Sequence, residues 1–244
     1  FHRNFRGGST LIRALERLYG TRYMVSESKR LGEIPEPREA YGELARIAAP
    51  AVMEMVLMSL VSSVNTAMVG HLGAAATAAV GLTAQPRMLM LAIFMATNVG
   101  VTAIVARRKG EGRQEDANRT MRNAIVLILL LAGGITAFAI LAAHPLMRMV
   151  GAKEDTIGLA TSYFRIISAG IPLNALTMAI NAAQRGLGNT RVTMLVNITS
   201  NLFNLLFCYL LIQGRFGFPR LGVNGAAVAA CIGFVVGFVL CVIS

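Results

Sequence analysis

Six apolar runs, each close to the length of a bilayer crossing, set the terms on which this chain can fold. They lie near 47–69, 81–106, 122–143, 157–183, 192–212 and 223–244. About twenty apolar residues in a helix cross the ~30 Å hydrocarbon core of a membrane. Hydrocarbon offers the backbone no hydrogen-bond partner, so each run must satisfy its own amides, which a helix does. The runs are too long and too continuous for the strands of a membrane barrel. The expected fold is therefore all-α: a polytopic membrane bundle of six transmembrane helices over residues 44–244. Composition agrees, with 55% of residues apolar and 14% charged, against about 45–50% and about 25% in soluble domains.

The net charge is +11, which in a soluble chain would suggest nucleic acid. Here the bases lie in a leading segment, residues 1–43, and in short loops between the apolar runs. That placement suits anionic lipid headgroups and membrane topology, and nucleic acid is not expected as a partner. With residues 1–46 inside the cell, the inner positions near span ends hold twelve Lys and Arg, six of them in 107–122. The outer loops hold four: Arg148, Lys153, Arg215 and Arg220. The bias predicts a multi-pass protein of the plasma membrane with a cytoplasmic amino terminus. Within the basic cytoplasmic segment, Leu11–Gly20 could lie on the membrane as a short amphipathic helix. "EIPEPREAYGEL" (33–44) reads as a Pro-broken linker, and "RRKGEGRQEDANRTMR" (107–122) as a solvated loop. The chain opens on Phe1 and stops at Ser244 inside an apolar run, so both ends read as cut. Cys208, Cys231 and Cys241 all fall in apolar runs and are expected as free thiols.

Of twelve Asp and Glu, Glu54 alone falls inside a span. It lies about 10 Å below the inner edge at 1.5 Å per residue. A carboxylate at that depth costs a few kcal/mol, so it should face the protein interior and mark an ion or proton pathway. The alternative is a static pair with an intramembrane base, for which Arg87 and Arg165 are candidates. Asn65 follows Glu54 by eleven residues and returns to nearly the same helix face, with Met58 and Ser62 between them. The fifth run repeats the pattern: Asn197, Asn201, Asn204 and Cys208 at i, i+4, i+7 and i+11 share one face. The fourth adds Asn174 and Asn181 with Thr177 between them. Such stripes either glue helices together or line a polar cavity.

Catalytic signatures are missing from the sequence. His71 and His144 stand at the outer ends of runs, and no metal-ligand spacing, nucleophile elbow or phosphate loop occurs. The reading is of a chain that is not an enzyme and that carries no cofactor or metal.

Several stretches resemble the MATE exporters, the multidrug and toxic compound extrusion family. They are "VNTAMVGHLG" (64–73), "AAVGLTAQP" (78–86), "GVTAIVARRKGEG" (100–112), "YFRIISAGIPLNAL" (163–176), "QRGLGNTR" (184–191) and "NLFNLLFCYLLIQGRFGFPRLGVNGAAVA" (201–229). Each piece is weakly specific, and their order along residues 44–244 is strongly so. The resemblance implies an antiporter of twelve helices in two six-helix lobes. Such antiporters expel small-molecule substrates, amphipathic and often cationic, driven by inward H⁺ or Na⁺. This chain would be the amino-terminal lobe and would need a carboxyl-terminal lobe as partner. Many members carry an Asp where this chain has Asn65, and one branch has an Asn and an Asp where Asn204 and Cys208 stand. Coupling in this lobe would then fall to Glu54, with Asn65, Asn201 and Asn204 as polar partners and Asn174, Asn181 and Asn197 in the same cavity, or else coupling would reside in the carboxyl-terminal lobe. Two rival readings are a lipid or lipid-linked oligosaccharide flippase of related fold and a non-transporting remnant.

Overall fold

The computed structural model describes residues 37–112, 114–214 and 216–243. The leading segment up to residue 36, including the Leu11–Gly20 amphipathic stretch, lies outside the described residues. Chain contacts divide the molecule at Arg46. The described residues of the first unit form the start of one helix, and Ile47–Ser244 is a helical bundle. Eight helices are described: α1 Pro37–Gly70, α2 Ala74–Gly110, α3 Gln114–Leu141, α4 Ala143–Met149, α5 Glu154–Ala169, α6 Ile171–Gly186, α7 Thr190–Gln213 and α8 Val223–Ile243.

Five of these are long and apolar enough to cross a membrane, and α5 with α6 makes a sixth crossing if the bent pair counts as one. The expected single helix over 157–183 is thus two helices meeting at 44°. The break has a local cause. Pro172 has no N–H to donate to the carbonyl four residues back, which is that of Ser168. The hydroxyl of Thr136 on α3 donates to that freed carbonyl at 3.3 Å, as intramembrane backbone requires. Gly170, at the joint, lets α8 approach: a Cβ there would stand 2.8 Å from Cys231 Sγ and 2.9 Å from Phe234.

Two expected irregular stretches are helical. The linker read over 33–44 becomes helix from Pro37 onward, with proline at the first position, where its missing N–H costs nothing. The loop read over 107–122 shrinks to a turn, because α2 runs on to Gly110 and α3 begins at Gln114. Lys, Arg, Glu and Gln are good helix formers, so a helix continues past the point where hydropathy falls. Arg107 Nε donates to Glu111 at 2.9 Å and helps close that end. The loop after α3 likewise contains the short helix α4.

The tightest seam joins α7 to α8. Gly225, Ala229, Gly233, Gly237 and Cys241 repeat every four residues on α8 and are all buried. A Cβ on Gly225 would lie 2.8 Å from the Leu211 carbonyl, and one on Gly237 would lie 2.7 Å from Ser200 Oγ. Small residues at this spacing let two backbones meet, which is how helices associate without a hydrophobic drive. α6 sits centrally and packs on α2, α3, α7 and α8. Phe94, Ile128 and Ile171 fill the space between α2, α3 and α6, and Met147 and Phe164 fill that around α4 and α5. α1 stands apart. Its span is almost wholly unburied, and it meets the core chiefly near its end, at Met68 and Val69.

Candidate transport cavity

Between α1 and the bundle lies a cavity of about 570 Å³. Ligand sites commonly run to about 300–1,000 Å³. α7 offers it Asn197, Ser200, Asn201, Asn204 and Cys208, the face that the i, i+4, i+7 spacing marks out. α1 offers Met58, Ser62 and Asn65, again the striped face. α6 adds Asn174 and Thr177, α5 adds Tyr163, α2 adds Arg87, and α8 closes the floor with Gly233, Phe234 and Gly237.

Two side-chain bridges cross from α1 to α7. Asn65 Nδ2 donates to Asn204 Oδ1 at 2.8 Å. Asn197 Nδ2 donates to Glu54 Oε1. The second bridge continues inward. Asn181 Nδ2 donates to Asn197 Oδ1 at 3.1 Å, and the Cys241 thiol donates to Asn181 Oδ1 at 3.4 Å. Every donor in this line points toward the carboxylate, so each bond polarises the next. Four helices, α8, α6, α7 and α1, are thereby strung to one acidic group. Asn201 turns its Nδ2 back to the Asn197 carbonyl at 2.8 Å within α7.

Of the residues picked out in the sequence, Asn65, Asn174, Asn197, Asn201 and Asn204 line the cavity, while Glu54 and Asn181 lie outside its lining and are tied to it through Asn197. Neither base offered as a static partner meets Glu54: among the described residues its recorded partner is Asn197, and Arg165 is exposed on α5. Arg87 is a different case. It is half-buried, it lines the cavity, and no ion pair to it is recorded among the described residues. Its signal in the sequence was that of a lone cation in an apolar run, directly after Pro86. Sequence reasoning passed over Asn98, whose buried amide nitrogen and oxygen have no hydrogen-bond partner among the described residues.

The described residues form a bundle of helices long and apolar enough to cross a membrane, around a polar cavity of ligand size, and this is the architecture of an integral membrane protein. The chain belongs to the MatE family, whose model matches residues 50–210. It is 31% identical over 205 residues to a "probable multidrug resistance protein NorM" of Thermotoga maritima, covering 84% of this chain and 44% of that protein. It is 30% identical to "multidrug resistance protein PmpM" of Pseudomonas aeruginosa, over 75% of this chain and 38% of that one. Among solved structures, a multidrug resistance MATE family transporter in an outward-facing conformation superposes with a TM-score of 0.75 at 28% identity, over 81% of this chain and 43% of its own. The chain thus spans less than half the length of these relatives, about one lobe. The relatives are transporters, and this chain is not an enzyme.

Proposed function

We propose that this chain is the amino-terminal lobe of an exporter of amphipathic small molecules, driven by inward H⁺ or Na⁺, with Glu54 as the coupling group. The reading rests above all on the hydrogen-bonded line that joins Glu54 to Asn197 and Asn181. A charged carboxylate accepts a hydrogen bond about twice as strongly as a neutral acceptor. Taking up a proton, or a Na⁺ ion, therefore loosens the hold of α1 on α7. Releasing it restores the hold. A ligand that biases one of two arrangements by its differential affinity is what coupling requires, and alternating access around a midplane site is the usual form. In this reading the second lobe completes the cavity, the amino terminus is cytoplasmic, and the membrane is the plasma membrane.

The test uses the full-length transporter in proteoliposomes with an imposed proton or Na⁺ gradient. Glu54→Gln keeps the volume and the hydrogen-bonding ability and removes the charge change. The variant should fold and insert normally and should lose gradient-driven efflux of an amphipathic dye. An unchanged pH and Na⁺ profile would make the carboxyl group structural and place coupling elsewhere.

A further inference from the structure

Resting on the export reading above, we infer that the cavity of this lobe takes amphipathic anions, molecules with a carboxylate or phosphate on an apolar body, and that Arg87 is the residue that binds the charged group. Among the described residues lining the cavity, Arg87 is the only charged side chain, and no Asp or Glu is present. The asparagines, serines and Tyr163 on the walls supply donors and acceptors without charge. Glu54, the acid of the first span, lies outside the lining and is held by Asn197. Among the described residues no carboxylate forms an ion pair with Arg87.

A cationic guest entering this space meets a like charge with reduced water around it, where Coulomb repulsion is stronger than in bulk. A carboxylate or phosphate meets a planar fork that can bind it through two parallel N–H donors. The apolar body has its own place beside Met58, Val61, Val80 and Phe234. The charge of the site and its apolar lining thus ask for the same kind of molecule.

The experiment measures equilibrium binding to the full-length protein in nanodiscs, using a matched pair of dyes: fluorescein, which carries a carboxylate, and a cationic rhodamine ester of similar size. The wild type should bind fluorescein more tightly. Arg87→Gln should weaken fluorescein by roughly tenfold or more, the usual effect of losing a hydrogen bond to a charged group, and should leave rhodamine binding unchanged or stronger. Arg87→Lys, which keeps the charge and loses the fork, should fall between, and it serves as the working variant if the Gln form does not fold. A wild type that prefers rhodamine, or a Gln variant within about twofold of wild type for fluorescein, overturns the inference. Phosphatidic acid in the nanodisc then separates two sources of the anion. Displacement of fluorescein assigns the site to a lipid headgroup, absence of displacement assigns it to a soluble guest, and both keep Arg87 as the anion site. Dye efflux from proteoliposomes is read in parallel. Arg87-dependent binding without efflux would sink the export reading and leave the anion site standing, and efflux without Arg87-dependent fluorescein binding would do the reverse.

Discussion

Asn197 uses both ends of its amide on other helices: the nitrogen donates to Glu54 of α1, and the oxygen accepts from Asn181 of α6. Truncating it strands two polar groups at once. We expect Asn197→Ala to destabilise the folded protein by about 1–2 kcal/mol, between the ~0.6 average for intramembrane hydrogen bonds and the ~3 upper value for bonds to charged groups. Unfolding of the full-length protein in mixed detergent checks this. Combined with Glu54→Gln, the loss should be smaller than the sum, because both changes break one bond. Asn65→Ala breaks only the neutral bridge to Asn204 and should cost less. The sequence spacing was enough to place Asn197, Asn201 and Asn204 on one face. It could not say which asparagine meets which, because helical periodicity fixes a direction and leaves the partner to the packing of other helices. Arg87 illustrates the same limit. Its charge was visible, but whether it faced lipid, a carboxylate or a cavity depended on how α2 lies against α1 and α5.

Among the elements, α8 carries the most exacting sequence. A methyl group on Gly225 would press on backbone atoms of Leu211 at 2.8 and 2.9 Å, and backbone cannot turn aside as a side chain can. Gly225→Ala should therefore cost about 1–3 kcal/mol, the range for overpacking. Gly133→Ala on α3 has nothing within 4 Å of the added carbon, and it should be neutral or stabilise by up to about 1 kcal/mol, as Ala for Gly does in a helix. Thermal midpoints of the two variants, measured side by side in detergent, separate packing from propensity. The five long helices were legible because length and hydropathy are properties of one segment. The bend between α5 and α6 was not, because "SAGIPL" is apolar throughout and a hydropathy profile carries no angle. The helical ends over 107–110 and 114–122 were missed for the opposite reason: polar residues lower hydropathy without ending a helix.

For the whole molecule the open question is which way the bundle faces. The bias of basic residues predicts that the turn between α2 and α3 is cytoplasmic and that the start of α5 is outside. Glu115 and Asp155 are exposed and mark the two sides. With Cys208, Cys231 and Cys241 replaced, a membrane-impermeant thiol reagent applied to intact cells should label Asp155→Cys and spare Glu115→Cys. The reverse pattern would invert the orientation. In that orientation Arg107, Arg108 and Lys109 would anchor the end of α2 at an anionic inner leaflet, each worth about 1 kcal/mol near the surface.

On the export reading proposed above, the position of α1 bears on how a guest arrives. α1 reaches α7 through two side-chain bridges and not through a sealed seam of backbones, so wherever the second lobe leaves α1 facing lipid, the wall of the cavity on that side would border the acyl chains. An amphipathic molecule concentrates in a bilayer according to its partition coefficient, gaining about 0.8 kcal/mol for each CH₂ buried. A guest that approaches sideways is drawn from that enriched pool and not from the dilute aqueous phase. The site can then be half occupied at aqueous concentrations far below its intrinsic dissociation constant, and lengthening an alkyl chain would raise apparent affinity even where the added carbons never touch the protein.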